Sequence, residues 1–374
     1  MSRILTINCG STSTKVAAFD DEVLIAKSNI DVPLADLANN PKAVDQTAFR
    51  TAQVRDFLAT NKLDPTSFDM VVARGGTIHH VKHDGAYGVN DLMIATLKYA
   101  PAAQHASALS ALIGVELVKD TDIPVIIYDP TCVDSVDPIA KVTGVPEIVN
   151  KPVYHLLNPK AQGRIYAESI GKRYDELNLI IAHLGGGITM AFHDHGRVVD
   201  WVYDDQVHMS PQRAGGVPTR FFTDFVYESG MSHQDMRMYL VGRTGLVGHL
   251  GTQDVRDVEK MIANGDEHAD LIYRAMAYGV AKSIGQLAIV RAGHVDQIIL
   301  TGGVAYSALF TGWVSELVSW IAPVTVLPGE LEAEALAAGG LRVLRGEEVL
   351  HTYDVWPAGY TSIEQMKQHP SFLA

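Results

Sequence analysis

The 374-residue chain contains little cysteine, few basic residues relative to acidic ones, and no long apolar run. Its two cysteines, Cys9 and Cys132, are too few for a disulfide framework and suit a reducing compartment. The net charge of −13 argues against binding to nucleic acid or to an anionic membrane surface, because both require basic patches. Since no segment resembles a signal peptide or a membrane span, we expect a cytoplasmic protein.

The composition is otherwise that of an ordinary globular protein, with 47% apolar and 20% charged residues. At roughly 100–200 residues per domain, the length predicts two domains. Strand and helix patterns alternate along the chain, which is typical of an α/β fold.

Three glycine-rich turns each follow directly after an apolar run, at residues 8–15, 183–187 and 301–303. Glycine allows backbone amides to approach phosphate oxygens closely, and neighbouring hydroxyl groups supply further donors. A single turn of this kind is common in loops. Three of them along one chain indicate a nucleotide-binding site.

The elements around these turns follow a similar plan in both halves of the chain. The predicted strands are residues 3–8, 15–20, 69–73, 125–128, 179–182, 188–192, 197–201 and 297–300, and the predicted helices are about 105–119 and 267–290. Each half opens with a strand, a phosphate-type loop and a second strand, which predicts two similar lobes with a nucleotide cleft between them. Asp129 follows a strand directly, where ligand sites collect in α/β sheets.

The order of the three turns resembles the phosphate-1, phosphate-2 and adenosine segments of the acetate and sugar kinase, heat-shock chaperone and actin superfamily. Within it, the chain is most similar to the butyrate kinases of the acetokinase family, from about residue 3 to residue 350. Further segments in that family's order are residues 74–76, 105–107, 128–130, 154–158, 210–213, 304–307, 321–324 and 341–348. The resemblance implies two ribonuclease-H-like lobes. Residues 1–149 and 335–374, with a returning C-terminal helix, would form one lobe, and residues 150–334 the other.

The resemblance also implies an activity. A carboxylate kinase of this family would transfer the γ-phosphoryl group of ATP reversibly to butyrate or a similar short-chain fatty acid, giving ADP and an acyl phosphate. ATP and Mg²⁺ are the implied cofactors, and a homodimer or higher homo-oligomer is expected by analogy. Because a carboxylate is already a nucleophile, such an enzyme must position and neutralise charge and needs no general base.

The resemblance suggests roles for several residues. Arg213 lies in the segment that carries the family's catalytic arginine and would stabilise the transition state. His155 resembles the family histidine that contacts the phosphoryl group in flight. Arg74 either binds the substrate or only pairs with nearby acids in its turn. Asp129 matches the strand-end aspartate of the family and is a catalytic and metal-binding candidate.

For Mg²⁺, which prefers oxygen ligands, Glu332 or Glu334 would supply a second carboxylate beside Asp129. Both glutamates lie at the expected start of a late helix, where acids also serve as helix-dipole partners. The nucleotide contacts are expected at the three glycine-rich turns. These residues are Asn8, Gly10, Ser11, Thr12, Ser13, His183, Gly185, Gly186, Gly187, Gly302 and Gly303.

One segment departs from the butyrate kinase pattern. That family usually has Asp-Gly-Glu-Gly-Pro-Phe before its Ser-Pro-Glu-Arg, whereas residues 204–209 of this chain are Asp-Asp-Gln-Val-His-Met. Leu331 likewise replaces a usual asparagine. We expect a stiffer and differently lined loop, which leaves open a kinase for isobutyrate, propionate or acetate. A catalytically impaired ATP-binding regulator is the alternative from another functional class.

Overall fold

The computed structural model describes residues 1–40, 42–76, 78–103 and 105–371. The chain forms two compact units: unit 1 is Met1–Asp134 with Leu331–Ala374, and unit 2 is Ser135–Glu330. Within the described residues, helices are too short or too polar to cross a membrane.

The strands and helices of the described residues alternate along the chain. In chain order they are β1 (Arg3–Cys9), β2 (Ser13–Asp20), β3 (Val23–Asp31), α1 (Leu34–Asn39), α2 (Thr47–Thr60), β4 (Met70–Arg74), β5 (Ala86–Gly88), α3 (Asp91–Tyr99), α4 (Ala108–Leu117), β6 (Val125–Tyr128), α5 (Leu157–Ser169), β7 (Asn178–Leu184), β8 (Ile188–Asp194), β9 (Arg197–Val202), α6 (Thr219–Glu228), α7 (His233–Gly242), α8 (Leu246–Leu250), α9 (Val255–Ala263), α10 (Glu267–Leu287), β10 (Gln297–Gly302), α11 (Ala308–Val318), β11 (Val324–Pro328), α12 (Glu332–Leu344), β12 (Leu350–Thr352) and α13 (Ile363–Gln368).

The sheet of unit 1 has the strand order β12–β5–β6–β4–β1–β2–β3. Strands β1 and β2, both predicted from the sequence, pair antiparallel around the first glycine-rich turn. Strands β1, β4 and β6 run parallel, with Ile7 opposite Ala73 and Arg74 opposite Tyr128. Their carboxyl ends therefore lie along one edge of the sheet.

Helix α12 packs closely on this sheet and completes unit 1. A Cβ atom at Gly340 would lie 2.6 Å from Cγ2 of Val72, and one at Gly339 would lie 2.6 Å from the Tyr128 ring. The two glycines let the helix backbone approach β4 and β6, which places the first turn of α12 with unit 1.

The sheet of unit 2 has the strand order β11–β10–β7–β8–β9. Strands β7, β8 and β9, all predicted from the sequence, form an antiparallel meander, while β7, β10 and β11 run parallel. Helix α10 buries Met276, Val280 and Ile284 in the same core as Ile180 and Leu300. Because β7 and β10 are parallel neighbours, the glycine-rich turns that follow them lie side by side.

The segment that follows Asp134 packs with unit 2. The Ser135 hydroxyl donates to the Val198 carbonyl at 2.9 Å, and the Asp137 amide donates to the Val199 carbonyl at 2.8 Å. These contacts attach the segment to β9. The units accordingly divide at 134/135 and 330/331, whereas the boundaries predicted from the sequence are 149/150 and 334/335.

Candidate functional site

In unit 1, polar side chains gather at the carboxyl edge of the parallel strands. Arg74, at the end of β4, forms an ion pair with Glu332 with 2.7 Å between Nη1 and Oε1. The Asn8 amide donates to Glu332 Oε2 at 2.5 Å, and Arg74 Nη1 donates to Asn8 Oδ1 at 3.4 Å. Lys15 Nζ lies 3.5 Å from Glu332 Oε2. The buried carboxylate of Glu332 thus joins the first turn of α12 to the ends of β1 and β4.

Asp129 follows β6 on the same edge and is only 3% exposed. Its φ of 41° lies in the left-handed region, which residues other than glycine rarely adopt. Its Oδ1 accepts a hydrogen bond from the Gly85 amide at 2.9 Å, and its own amide donates to the Gly85 carbonyl at 2.9 Å. This reciprocal pair fixes the carboxylate in a strained backbone position of the kind that clusters at functional sites.

The turn after Arg74 packs directly against the turn after Asp129. A Cβ atom at Gly75 would lie 2.5 Å from Cβ of Pro130, so a glycine is required there. The contact keeps the ends of β4 and β6 close together.

The oxygen donors on this edge suit Mg²⁺, a hard ion that takes one or two carboxylates and completes its octahedron with waters and phosphate oxygens. The candidate donors predicted from the sequence are the carboxylates of Asp129 and Glu332, of which Glu332 already pairs with Arg74. Glu334 instead pairs with Lys27, with 3.0 Å between Oε1 and Nζ. In the part of the chain that the structure describes, no three His, Cys, Asp or Glu side chains are grouped to hold a metal ion. Two carboxylates would leave the rest of an octahedral shell to waters and phosphate oxygens.

The phosphate-1 loop, residues 10–13, lies between β1 and β2. The Gly10 amide donates to the Ser13 carbonyl at 2.8 Å, which closes the turn, and Ser11 and Thr12 are exposed. The guanidinium of Arg50, on α2, donates to the carbonyl oxygens of Gly10, Ser11 and Ser13. Arg50 did not emerge from the sequence, because it is forty positions from the loop and belongs to no glycine-rich motif.

In unit 2, the carboxylate of Asp204 holds the phosphate-2 turn. The sequence analysis identified this residue only as part of a divergent segment. The Gly185 amide donates to the Gly187 carbonyl at 3.0 Å, and the Ile188 amide donates to Asp204 Oδ1 at 2.6 Å. A Cβ atom at Gly187 would lie 2.7 Å from Asp204 Oδ2. The turn therefore packs directly on the Asp204 carboxylate.

Asp204 also faces Arg213, with 3.7 Å between its Oδ2 and Arg213 Nε. Burial raises the pKa of Asp204 to about 6, while Arg213 opposes that increase. Arg213 is partly exposed and donates to the carbonyl oxygens of Gln212 and Val241. The structure thus links the predicted catalytic arginine and the predicted phosphate-2 turn through one buried acid.

His155 and His183 form a stacked pair, with ring centroids 4.1 Å apart and ring planes 18° apart. Thr189 Oγ1 accepts a hydrogen bond from the His155 amide at 3.1 Å and lies 2.8 Å from His155 Nδ1. His183 is buried, with its Nδ1 3.3 Å from the Asn158 amide nitrogen and its Nε2 3.7 Å from Glu330 Oε1. The two histidines predicted from separate motifs are direct neighbours.

The second and third glycine-rich turns line one cavity of about 700 Å³ in unit 2. Its lining includes Gly185, Gly186, Gly303, Arg256 and Glu330. A volume in this range is typical of small-molecule sites. Gly302, which precedes Gly303 in the chain, is buried and has a φ of 93°, which favours glycine.

Residues 160–317 match the model of the acetokinase family. The chain is 43% identical over 354 residues to a protein of Coprothermobacter proteolyticus described as a probable butyrate kinase, and the match covers 94% of this chain and 99% of that protein.

Solved structures show the same fold. The acetate kinase of Porphyromonas gingivalis is similar with a TM-score of 0.72 and 20% identity, covering 92% of this chain and 100% of that one. A propionate kinase of Francisella tularensis is similar with a TM-score of 0.70 and 18% identity, covering 91% and 99%. These likenesses confirm the predicted α/β fold class of two lobes. The identity over nearly the whole sequence establishes that the chain belongs to the acetokinase family.

Proposed function

We propose that this protein is a carboxylate kinase that transfers the γ-phosphoryl group of ATP reversibly to butyrate or a similar short-chain fatty acid. The observation that carries the proposal is the 43% identity, over 94% of the chain, to a relative described as a probable butyrate kinase. Two features of the structure support this proposal. Two glycine-rich turns line one cavity of nucleotide size. Arg213 pairs with Asp204, the acid that contacts one of these turns.

The proposed reaction forms one bond and breaks one bond at phosphorus. A carboxylate oxygen of the acid attacks the γ-phosphorus of ATP, and the bond from that phosphorus to the β–γ bridging oxygen breaks. ADP leaves with the electron pair, and the acyl phosphate keeps the transferred group. No proton must be removed from the nucleophile, so catalysis depends on position and charge.

In unit 1, we assign the phosphate contacts to the exposed Ser11 and Thr12 of the phosphate-1 loop and to Asn8. Asp129 and Glu332 would hold Mg²⁺, which neutralises phosphate charge when the nucleotide is bound. Arg74 pairs with Glu332 and so orients that carboxylate.

In unit 2, we assign transition-state stabilisation to Arg213, which Asp204 and two backbone carbonyls hold in place. A preorganised donor of this kind contributes about 3–4 kcal/mol to the transition state. His155, fixed by Thr189 and by stacking on His183, would donate a hydrogen bond to the phosphoryl group. Gly185, Gly186 and Gly303 line the proposed nucleotide cavity.

A kinase for another short acid is the second candidate, favoured by the divergent segment at residues 204–209. Val207 and Met209 of this segment are buried in the unit 2 core, where the family usually has glycine and phenylalanine. His208 packs against α10, since a Cβ atom at Gly279 would lie 2.1 Å from its Cβ. The segment is therefore anchored by packing, and we infer that it restricts which acid fits.

Trapping of acyl phosphate with hydroxylamine tests the proposal. Purified protein with Mg-ATP is offered acetate, propionate, butyrate, isobutyrate and valerate. The expected result is hydroxamate that peaks at butyrate and falls 10²–10³-fold in Arg213→Ala, the loss typical of a missing preorganised donor. Arg220→Ala, an exposed arginine of the same unit, is the matched control and should behave like the wild type. A peak at another acid would support the second candidate, and no hydroxamate with any acid would refute both.

A further inference from the structure

Arg50 is fully buried beneath the phosphate-1 loop, with a relative exposure of 0%. Among the described residues, its guanidinium donates to oxygens of uncharged groups. These are Gly10 O at 2.9 Å, Ser11 O at 3.0 Å, Ser13 O at 3.1 Å, Thr14 Oγ1 at 3.3 Å, and Gln46 Oε1 at 3.1 Å from Nε and 2.8 Å from Nη2. The side chain of Arg50, on α2, therefore donates hydrogen bonds to three carbonyl groups of the loop.

The direction of these carbonyls determines where the loop amides point. The described peptide bonds are trans, and in a trans peptide the C=O and N–H groups point in opposite directions. The carbonyl of Gly10 shares its peptide plane with the amide of Ser11, and the carbonyl of Ser11 shares its plane with the amide of Thr12. Because Arg50 binds both carbonyls, it turns the amides of Ser11 and Thr12 away from itself.

These two amides are placed to receive an anion. Ser11 and Thr12 are exposed, and neither amide donates a hydrogen bond to another described residue. Successive backbone amides that face one way form a concave site for phosphate groups. Arg50 thus shapes the anion-binding face of the loop from the opposite side.

The charge of Arg50 adds to this effect. Within the described residues, the ion pairs do not include Arg50, and burial raises the pKa of the neighbouring Cys9 thiol, so Cys9 supplies no negative charge. Desolvation lowers the pKa of Arg50, yet a guanidinium stays protonated in proteins. A buried charge without a counter-ion is costly, whereas a phosphate on the far side of the loop would be attracted to it through a medium of low dielectric constant.

We propose that Arg50 is the positioning residue of the phosphate-1 loop, and that it makes the loop a binding site for the polyphosphate group of a nucleotide. Its guanidinium orients the amides of Ser11 and Thr12, and its charge attracts the phosphates. It acts through the loop and does not touch the ligand. The inference rests on the proposed function in one respect, namely that the ligand of this loop is ATP.

Binding measured by calorimetry tests this inference. The ligands are ATP, inorganic tripolyphosphate and adenosine, and the variants are Arg50→Gln and Arg50→Lys. Arg55→Gln is the matched control, since Arg55 lies on the same helix, is exposed, and donates to the Glu116 carbonyl instead of the loop. Thermal unfolding identifies the folded variants.

We expect Arg50→Gln to bind ATP and tripolyphosphate at least tenfold more weakly, with adenosine affinity unchanged within twofold. Arg50→Lys keeps the charge without the planar fork and should be intermediate, while Arg55→Gln should match the wild type. If Arg50 had a merely structural role, Arg50→Gln would lose affinity for adenosine and for ATP by the same factor, and that result would overturn the inference. Unchanged ATP affinity in a folded variant would do the same. If Arg50→Gln does not fold, the losses of affinity for ATP and for adenosine are compared in Arg50→Lys instead, and equal losses would overturn the inference.

The two proposals fail in distinguishable ways. A wild-type protein that binds ATP and tripolyphosphate but forms no acyl phosphate would refute the kinase activity, while the Arg50 comparison would still stand. A wild-type protein that binds neither ligand would overturn the inference itself.

Discussion

Several of the predicted site residues are held in position by neighbours that belong to no sequence motif. Asp204 illustrates this, because its carboxylate contacts both the phosphate-2 turn and Arg213. From the sequence it belongs only to a divergent segment. The contact depends on how β9 leads back towards the turn after β7, which is a tertiary arrangement. Residue type and spacing therefore predicted Arg213 and the glycines, and not the acid that joins them.

Asp204 should leave a signature in the pH dependence of stability. Its pKa is raised by burial from 3.8 to about 6 in the folded state, so folded protein binds this proton more tightly than unfolded protein between those values. The contribution of Asp204 to the free energy of unfolding should fall as pH rises from about 4 to 6, by roughly 3 kcal/mol, and stay constant above.

Urea unfolding at a series of pH values measures this contribution. Asp204→Asn cannot titrate and can still accept from the Ile188 amide, so its stability relative to the wild type should increase over that interval. Parallel curves for the two proteins would contradict the shifted pKa.

Glu332 and Glu334 could not be distinguished from the sequence, since both are acids at the start of one helix. The structure places Glu332 with Asn8 and Arg74, and Glu334 with Lys27. Two residues along a helix correspond to about 200° of rotation, so the side chains leave the helix on nearly opposite faces. Knowledge of which face of α12 meets the sheet is required to choose between them.

The two glutamates provide a matched pair of variants. Glu332→Gln should raise the Mg²⁺ concentration needed for half-maximal acyl phosphate formation about tenfold, because a carboxylate ligand is lost. Glu334→Gln should remain within twofold of the wild type. Titration of Mg²⁺ at fixed ATP measures both, and equal effects of the two substitutions would contradict the assignment to Glu332.

At the scale of elements, the strands that flank the glycine-rich turns were predicted from their apolar runs, and the short or exposed ones were not. Strand β3, Val23–Asp31, is largely exposed on the edge of its sheet, so its sequence shows little burial periodicity. Strands β5 and β12 have three residues each, too few for a pattern. Such strands form because a neighbouring strand offers free backbone groups, which sequence alone does not show.

The end of β10 should depend strongly on its last residue, Gly302. Gly302 has a φ of 93°, and a Cβ atom there would lie 2.5 Å from the Leu184 carbonyl oxygen. Gly302→Ala should therefore reduce the free energy of unfolding by about 3 kcal/mol through backbone strain and steric overlap.

Gly303→Ala is the control for this substitution, because no described atom lies within 4 Å of the corresponding Cβ position. The free energy of unfolding of Gly303→Ala should differ from that of the wild type by less than about 0.5 kcal/mol, as for a surface substitution. Urea unfolding of both variants provides the measurement. A similar loss in both would show that the conformation of Gly302 is not what stabilises the turn.

At the scale of the whole molecule, the two-unit α/β organisation was predictable because each half repeats a strand, a phosphate-type loop and a second strand. The limits of the units were less predictable. Residues 135–137 attach to unit 2 through hydrogen bonds to β9 that have no sequence signature. The placement of α12 with unit 1 depends on close packing at Gly339 and Gly340, which becomes evident only in the folded chain.

In the proposed reaction, the γ-phosphoryl group of ATP passes directly to a short-chain carboxylate. The most direct measurement is ³¹P NMR of the protein with Mg-ATP and butyrate, recorded with and without the acid. We expect an acyl phosphate resonance that appears in step with ADP and only when the acid is present. Formation of ADP and inorganic phosphate at the same rate with and without butyrate, with no acyl phosphate signal, would contradict it.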